Sequence, residues 1–250
     1  MVGHGFANFY AITALPDAAA VRAVNRLKGR PADQVGSITT TPSRLLDVYD
    51  WSQLPSELSR SQALAVMDAV LSLGPFGFRG PARAGLPSHL TQYDDGVLTT
   101  QVISPGYACP SNGFLGLVLQ VTDREYLSIT SANRSRHSTG AAEEPAHYTA
   151  SGLLQDFGGV ADFVLLQHRD EAAARSRYPA FAPMSTSILA LHRLMTTPTG
   201  LPALVLERHG SLPVERVRQA LQPLRLDVVL GRRAQVRLPQ REDVATFRTS

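Results

Sequence analysis

The segment NRLKGRP, residues 25–31, lies between a stretch with helical spacing and a β-rich stretch, and its basic residues stand out in this chain. Of the 24 lysines and arginines, Lys28 is the one lysine. An ammonium group is a compact charge that fits a phosphate or carbonate oxygen, whereas guanidinium is a planar fork. We therefore interpret Lys28 and Arg30 as a two-pronged anion clamp, with Gly29 leaving room for a ligand near the backbone. The alternative is a helix C-terminus, since Lys, Gly and Pro in this order are ordinary stop signals.

The residues on either side of this segment indicate the fold class. Phe6–Thr13 is aromatic and β-rich and predicts a strand, and Pro16-Asp17 opens a helix that runs to the clamp. Val35–Thr40 predicts the next strand. The order strand, helix, clamp, strand favours an α/β sheet.

The rest of the chain continues this alternation. The patterns predict helices over 61–73, 112–122, 147–157 and 213–221, and strands over 97–103, 126–130, 163–167, 187–191, 203–207 and 226–230. Residues 74–88 are rich in glycine and proline and are interpreted as a loop. We expect an α/β fold in which one twisted mixed sheet with flanking helices forms a single domain, 1–231. Residues 232–250 form a basic tail, expected to be poorly ordered or docked on a partner such as RNA or protein.

Composition narrows the range of functions that the sequence is expected to have. The chain has 250 residues, a formal net charge of +3, and 44% hydrophobic and 18% charged residues. This balance fits an ordinary globular enzyme with anionic substrates better than a strongly basic nucleic-acid binder. The single cysteine, Cys109, excludes an internal disulfide, and no ligand spacing predicts a metal site. No signal peptide and no run long enough to span a membrane is present, so we expect a cytoplasmic protein.

Polar residues at predicted strand ends are the other site candidates. Ser131 and Asn133 could donate hydrogen bonds to phosphate oxygens, or could simply form a turn. Ser185 begins a hydroxyl cluster that could also bind phosphate or could form the entry to a strand. Arg208 follows an apolar strand and could grip a carboxylate, unless it is a surface residue paired with Glu207.

These motifs, taken in order, resemble the YrdC family over about residues 5–215. The lysine-x-arginine-proline motif of the family matches Lys28–Pro31, and its threonine-serine-alanine-asparagine motif matches Thr130–Asn133, with Ser135 nearby. The serine-threonine strand matches Ser185-Thr186, and arginine-x-glycine matches Arg208–Gly210. A proline-glycine-proline-x-threonine motif matches weakly at 87–91.

The resemblance implies a sheet around an open basic cavity and an enzyme that makes threonylcarbamoyl-AMP and pyrophosphate for transfer-RNA modification. ATP, bicarbonate and L-threonine would be the substrates, with Mg²⁺ on the triphosphate. The resemblance implies three groups of roles. Lys28 and Arg30 would be catalytic and nucleotide-binding residues, and Ser131, Asn133, Ser185 and Arg208 would also bind the nucleotide. Asn8, Thr91 and Arg208 would bind the amino acid.

Two departures affect the amino-acid side. The proline-threonine-x-threonine motif of the family is absent at Gly3–Asn8, and its arginine-x-proline element appears as Ala108-Cys109-Pro110. Losing a polar contact of this kind can change substrate choice strongly. We therefore also consider a related enzyme that forms or transfers a carbamoyl group on a different acceptor, and a non-catalytic RNA-binding module. We expect Lys28→Ala to abolish turnover and leave the fold unchanged.

Overall fold

A computed structural model of the protein describes residues 1–135 and 144–241, and its centre is one large mixed β-sheet. In the described residues eleven strands join this sheet, and six α-helices flank it. The strands are β1 Val2–Phe6, β2 Phe9–Ala14, β3 Ser37–Thr39, β4 Phe76–Pro81, β5 Thr91–Asp94, β6 Val97–Ser104, β7 Leu127–Ser131, β8 Val164–Leu166, β9 Ile188–Thr196, β10 Pro202–Arg208 and β11 Asp227–Leu230. The helices are α1 Ala18–Leu27, α2 Arg60–Leu71, α3 Ser111–Thr122, α4 Ala150–Phe157, α5 Glu171–Ser176 and α6 Val214–Leu221.

The strand order confirms the predicted single mixed sheet. It runs β11-β10-β9-β4-β6-β3-β7-β2-β1-β8, and β5 pairs with β6 beside this path. The sheet contains both parallel pairs, such as β4 with β9, and antiparallel pairs, such as β4 with β6. Strands far apart in sequence are therefore neighbours in space.

The predicted strand Phe6–Thr13 is confirmed over Phe9–Thr13 as β2 and is wrong at its start, because the chain reverses at Ala7 and Asn8. β1 and β2 form a hairpin with the register Phe6↔Phe9, and the turn consists of Ala7 and Asn8. Ala7 has a φ of 55°, in the left-handed region that a non-glycine residue rarely enters. An alanine in that conformation gives no turn signal in the sequence.

The predicted loop over 74–88 is also wrong, because it contains the central strand β4. The two glycines of β4, Gly77 and Gly80, meet close packing and do not form turns. A methyl group on Gly77 would lie 2.7 Å from Ile103 Cδ1 and 2.9 Å from Ile188 Cγ1, and one on Gly80 would lie 3.0 Å from the Tyr49 ring. Glycine within a strand often marks such a close approach.

The sheet has two faces that are packed differently. On the first face, Tyr10 and Ile12 of β2 pack against Val24 of α1 and residues of α4. Phe76 and Phe78 of β4 point to the same side, into the cluster that includes α2 and α6. On the second face, eight buried residues form a separate cluster: Phe6, Phe9, Ala11, Ile103, Ile129, Ala146, Tyr148 and Ile188.

The strand registers place the segments singled out in the sequence at two ends of the sheet. The Ala7-Asn8 turn lies at the end that we call the upper end, because Phe6 pairs with Phe9 and Ala11 pairs with Ser131 at the end of β7. Ile188 at the start of β9 pairs with Arg208 at the end of β10 and with Gly77 of β4. These residues are level with the start of β7 and lie at the opposite end by register. Residues 181–182 link the two ends, because Asn8 Nδ2 donates to the Phe181 carbonyl oxygen and the Ala182 amide donates to the Ser211 carbonyl oxygen.

The described part of the basic tail, residues 232–241, lies against its own chain. The Leu238 amide donates to the His209 carbonyl oxygen at 2.8 Å, and Arg237 Nε donates to the Gly210 carbonyl oxygen at 3.0 Å. Arg241 Nε donates to the Pro145 carbonyl oxygen at 2.9 Å. Residues 242–250 lie outside the described residues, and the boundary at 231 stays a prediction. Across the described chain, every helix is too short or too polar to cross a bilayer.

Candidate active site

Lys28 lies at the end of α1, where both interpretations of its segment apply. It is the C-cap residue of the helix, and the following Gly29 has a φ of +71°. Its side chain nevertheless turns inward and is 1% exposed. The ammonium nitrogen lies 3.0 Å from Thr130 Oγ1 and 3.1 Å from Asn133 Oδ1. It also donates to the Ser131 carbonyl oxygen.

This contact fixes the loop that follows β7. Burying an ammonium ion costs several kcal/mol unless oxygens replace its water, and three protein oxygens do so here. Arg30 Nη1 donates to Thr130 Oγ1 at 2.9 Å, so both basic groups of the clamp meet at one hydroxyl. The two residues are therefore brought together as predicted, and the loop is held by their charges.

The Ser131–Asn133 loop also carries the internal bonds of a turn. Ser131 Oγ donates to Asn133 Oδ1 at 2.6 Å, and Asn133 Nδ2 donates to the Glu144 carbonyl oxygen at 2.8 Å. The Ser135 amide donates to the Lys28 carbonyl oxygen at 2.6 Å. The turn and the basic clamp are thus one connected structure. Residues 136–143 lie outside the described residues.

Arg208 and the Ser185-Thr186 segment form a second cluster, at the end of the sheet opposite the upper end. Arg208 Nε donates to the Thr186 carbonyl oxygen at 2.6 Å, and Nη2 donates to Thr186 Oγ1 at 2.9 Å. A methyl group on Gly210 would overlap the Ser185 carbonyl oxygen. Arg208 bonds to the Ser185-Thr186 segment, and Gly210 lets the chain pack closely against the same segment. The spacing of the arginine and the glycine follows from these two contacts.

Glu207 pairs with other arginines, so the surface interpretation of Arg208 as its partner is wrong. Glu207 Oε2 lies 2.7 Å from Arg79 Nε, and Oε1 contacts Arg193. Asp94 lies 3.0 Å from His192 Nε2, and Asp94, His192 and Glu207 offer ligand atoms within 4.8 Å of one another. Because the arginines already balance these carboxylates, we assign no metal ion to the group.

The two remaining predicted contacts both lie at the upper end by register. Asn8 is 2% exposed and lies in the turn there, where its Nδ2 donates to the Phe181 carbonyl oxygen at 2.9 Å. Thr91 pairs with Thr100 of β6, and because Ile38 pairs with both Val102 and Ser128, Thr100 is level with Thr130. The Thr91 hydroxyl donates to the Pro87 carbonyl oxygen at 3.3 Å.

The polar residues of α5 and its surroundings were missed by the sequence reasoning. The guanidinium of Arg175 lies over the ring of Tyr148, 5.4 Å from its centroid. Tyr148 belongs to the cluster on the second face. The segment 168–179 is charged, and no sequence periodicity connects Arg175 with Tyr148, because α4 and β8 lie between them in the chain.

His4 is a buried residue of β1. Its ring packs 4.7 Å from the ring of Phe114, centroid to centroid. Burial lowers the pKa of His4 to about 4, so it is neutral at neutral pH. Cys109 is also buried, and its sulfur accepts a hydrogen bond from the Ala7 amide at 3.2 Å.

The fold is that of YrdC-type α/β proteins, which agrees with the resemblance of the motifs. Sua5 from P. abyssi, whose structure was determined with L-threonine, superposes with a TM-score of 0.61 at 20% identity over 91% of this chain. This chain spans 55% of the length of that protein. A hypothetical protein from Streptococcus mutans, smu.1377c, gives a TM-score of 0.64 at 11% identity, covering 92% of this chain and 90% of the other. No family model and no curated protein matches the sequence.

Proposed function

We propose that the protein is an adenylate-forming enzyme that joins ATP, bicarbonate and an amino acid into a carbamoyl-adenylate and releases pyrophosphate. By resemblance the first candidate for the amino acid is L-threonine, and the product would be threonylcarbamoyl-AMP for transfer-RNA modification. The observation that carries the proposal is the buried Lys28, which ties α1 to the Ser131–Asn133 loop. The fold shared with Sua5 supports it.

The reaction has two steps. The amine of the amino acid attacks carbon dioxide, or bicarbonate with loss of water, and gives a carbamate. A carbamate oxygen then attacks the α-phosphorus of ATP, a new P–O bond forms, and the bond to pyrophosphate breaks. Negative charge gathers on the phosphates in this second step, so fixed positive charge nearby lowers the barrier.

The basic residues of the two clusters suit this need. Lys28 and Arg30 supply charge beside the Ser131 and Asn133 loop, and Arg208 supplies a guanidinium held by Thr186. In this proposal Ser131, Asn133 and Ser185 contact the nucleotide. Mg²⁺ would arrive on the triphosphate, because Mg²⁺ keeps several waters and takes phosphate oxygens as ligands.

A second candidate keeps the nucleotide chemistry and changes the acceptor. Where the family has hydroxyl groups, this chain has the Phe6–Asn8 turn, and Ala108 stands in place of an arginine. The amide of Ala7 is bonded to Cys109. Acceptor recognition at this end therefore differs from the family pattern, which favours an amine other than threonine.

Incubation of the full chain with ATP, labelled bicarbonate and each amino acid in turn tests the proposal. We expect pyrophosphate and labelled adenylate with at least one amine. If ATP binds and every amine fails to give pyrophosphate, the proposed reaction is wrong. A rate with threonine at least tenfold above that with any other amine would remove the second candidate.

A further inference from the structure

Cys109, the single cysteine of the chain, lies where separate segments of the fold meet. The Ala7 amide, in the β1–β2 turn, donates to its sulfur at 3.2 Å. Ser111 Oγ, at the start of α3, lies 2.9 Å from the same sulfur. The thiol is therefore surrounded by polar groups and not by the apolar side chains that make a buried cysteine inert.

The hydroxyl of Tyr178, in the turn after α5, is a buried donor beside this thiol. Burial raises the pKa of Tyr178 most, and the neighbouring Cys109 thiol raises it further. Tyr178 is 4% exposed, and its hydroxyl makes no hydrogen bond within residues 1–135 and 144–241. Its ring is closely packed, because a methyl group on Gly74 would lie 3.0 Å from Tyr178 Cδ1. Buried polar groups nearly always have a partner, so this donor points to an acceptor that the reduced thiol does not supply.

The position of Cys109 in the chain lets a small molecule reach the sulfur. Cys109 is 4% exposed, but Tyr107, Ala108 and Pro110 beside it are exposed. Hydrogen peroxide is little larger than water. Hydrogen-bond donors around a sulfur stabilise the thiolate, which is the form that reacts with peroxides.

Oxidation of the thiol by a peroxide would create the acceptor that Tyr178 lacks. The sulfur attacks one oxygen of hydrogen peroxide, so that an S–O bond forms and the O–O bond breaks. The sulfur is oxidised by two electrons, the peroxide is reduced, and the thiol proton leaves with the released hydroxide as water. The product is a sulfenic acid, whose oxygen can accept a hydrogen bond from a nearby hydroxyl.

We propose that Cys109 is a site of reversible oxidation to sulfenic acid by peroxides, and that the Tyr178 hydroxyl donates to the new oxygen. The site does not depend on the reaction proposed above. It lies against the turn that carries Asn8, because Asn8 Nδ2 donates to the Phe181 carbonyl oxygen and the Phe181 and Tyr178 rings are 6.0 Å apart, centroid to centroid. An oxygen added to the sulfur is thus placed next to the β1–β2 turn.

Treatment of the full chain with hydrogen peroxide and then dimedone, a reagent that adds to sulfenic acids, tests the site by mass spectrometry. We expect one dimedone adduct per chain, on the peptide that contains Cys109, and none in Cys109→Ser. Dithiothreitol added before dimedone should reduce the sulfenic acid and prevent the adduct. The proposal is overturned if the unaltered protein gives no adduct, or if its thiol passes directly to sulfinic acid.

Tyr178→Phe keeps the ring and removes the donor. We expect it to lower the yield of dimedone adduct roughly three- to tenfold, because the hydrogen bond to the sulfenic oxygen is lost. Tyr107→Phe is the matched control: its hydroxyl bonds to Asp68 at 2.9 Å, so its removal should leave the yield unchanged. Iodoacetamide, which places no oxygen on the sulfur, measures access to the thiol and should react at the same rate in all three proteins. An unchanged adduct yield in Tyr178→Phe, or an equal change in both reactions, would show that Tyr178 does not hold the oxygen.

Discussion

The ammonium nitrogen of Lys28 lies 3.1 Å from the amide oxygen of Asn133, a residue 105 positions further along the chain. The contact joins the end of a helix to the end of a strand on either side of the proposed phosphate region. The lysine is therefore part of the fold as well as of the site. Because Lys28 is buried, the expectation that Lys28→Ala leaves the fold unchanged is corrected.

Lys28→Met should lower both turnover and stability. The methionine keeps the apolar stem but leaves the Ser131 carbonyl and the Asn133 side chain without their shared donor, which we expect to cost about 1–3 kcal/mol of unfolding free energy. Urea unfolding and pyrophosphate release measure the two effects. Arg26→Met, an exposed residue on the same helix, is the control and should change neither quantity appreciably. Wild-type turnover in Lys28→Met would contradict the proposed role.

Arg208 and Thr186 should act as one unit in nucleotide binding. The guanidinium makes two bonds to Thr186, so Arg208→Lys and Thr186→Val should each weaken ATP binding and together cost less than the sum of both. We expect a coupling free energy of about 0.5–3 kcal/mol in a double-mutant cycle. Titration of ATP into the four proteins measures it. Strict additivity would show that the arginine acts independently of this strand.

Two glycines should respond in opposite ways to the same substitution. A methyl group on Gly210 would overlap the Ser185 carbonyl oxygen and lie 2.6 Å from the Thr186 carbonyl carbon, so Gly210→Ala should destabilise by roughly 1–3 kcal/mol. Gly113 in α3 has open space around it, so Gly113→Ala should be neutral or stabilising by up to about 1 kcal/mol. Thermal unfolding compares the pair, and equal melting temperatures would refute the packing argument.

The buried His4 should make the protein sensitive to acid. Its pKa is about 4 in the folded chain, below the ordinary value of 6.5, because burial disfavours the charged ring. The contribution to stability is complete above pH 6.5 and falls as the pH drops toward 4, by about 3 kcal/mol in total. His4→Leu should therefore lose less stability than the unaltered protein over this interval. Urea unfolding of both proteins at pH 7, 5.5 and 4.5 tests the difference. If their free energies of unfolding fall in parallel with pH, His4 is not a source of the acid sensitivity.

Removal of the basic tail, 232–250, should lower the free energy of unfolding, because Arg237 and Arg241 lose their bonds to carbonyl oxygens of the domain. Urea unfolding of the full and truncated chains measures the loss, and equal stabilities would contradict the role of these bonds. Filter binding to transfer RNA at two salt concentrations would show whether Arg232, Arg233 and Arg248 still support the RNA-binding alternative, since phosphate contacts weaken steeply with salt.

Much of the fold could be predicted from the sequence, because the amphipathic helices and apolar strands follow simple periods. The helix ending at Leu27 is an example, with Asp17 capping its first turn at 2.8 Å from the Ala20 amide. The failures have a common cause. Gly77 and Gly80 are required because side chains distant in sequence pack closely against them. Ala7 adopts a positive φ that the hairpin imposes. Local patterns cannot show a requirement that arises only from distant neighbours.

The same distinction applies to the candidate site. Lys28, Arg30, Ser131 and Asn133 were found because their motifs are short and contiguous, and the structure brings them together. The contact of Arg175 with the Tyr148 ring was not found, because it joins residues that are far apart in the sequence. Thr91 was suggested by a weak motif match, and the strand register places it level with Thr130.

The parallel pair of β4 and β9 has a consequence for how the protein is made. It joins Gly77 to Ile188, so the middle of the sheet stays incomplete until β9, in the last third of the chain, has left the ribosome. Until then β4 exposes an unpaired edge. Pairings between such distant residues also form slowly. We expect the nascent chain to need protection by a chaperone during this interval, and refolding from denaturant to be slow and prone to aggregation.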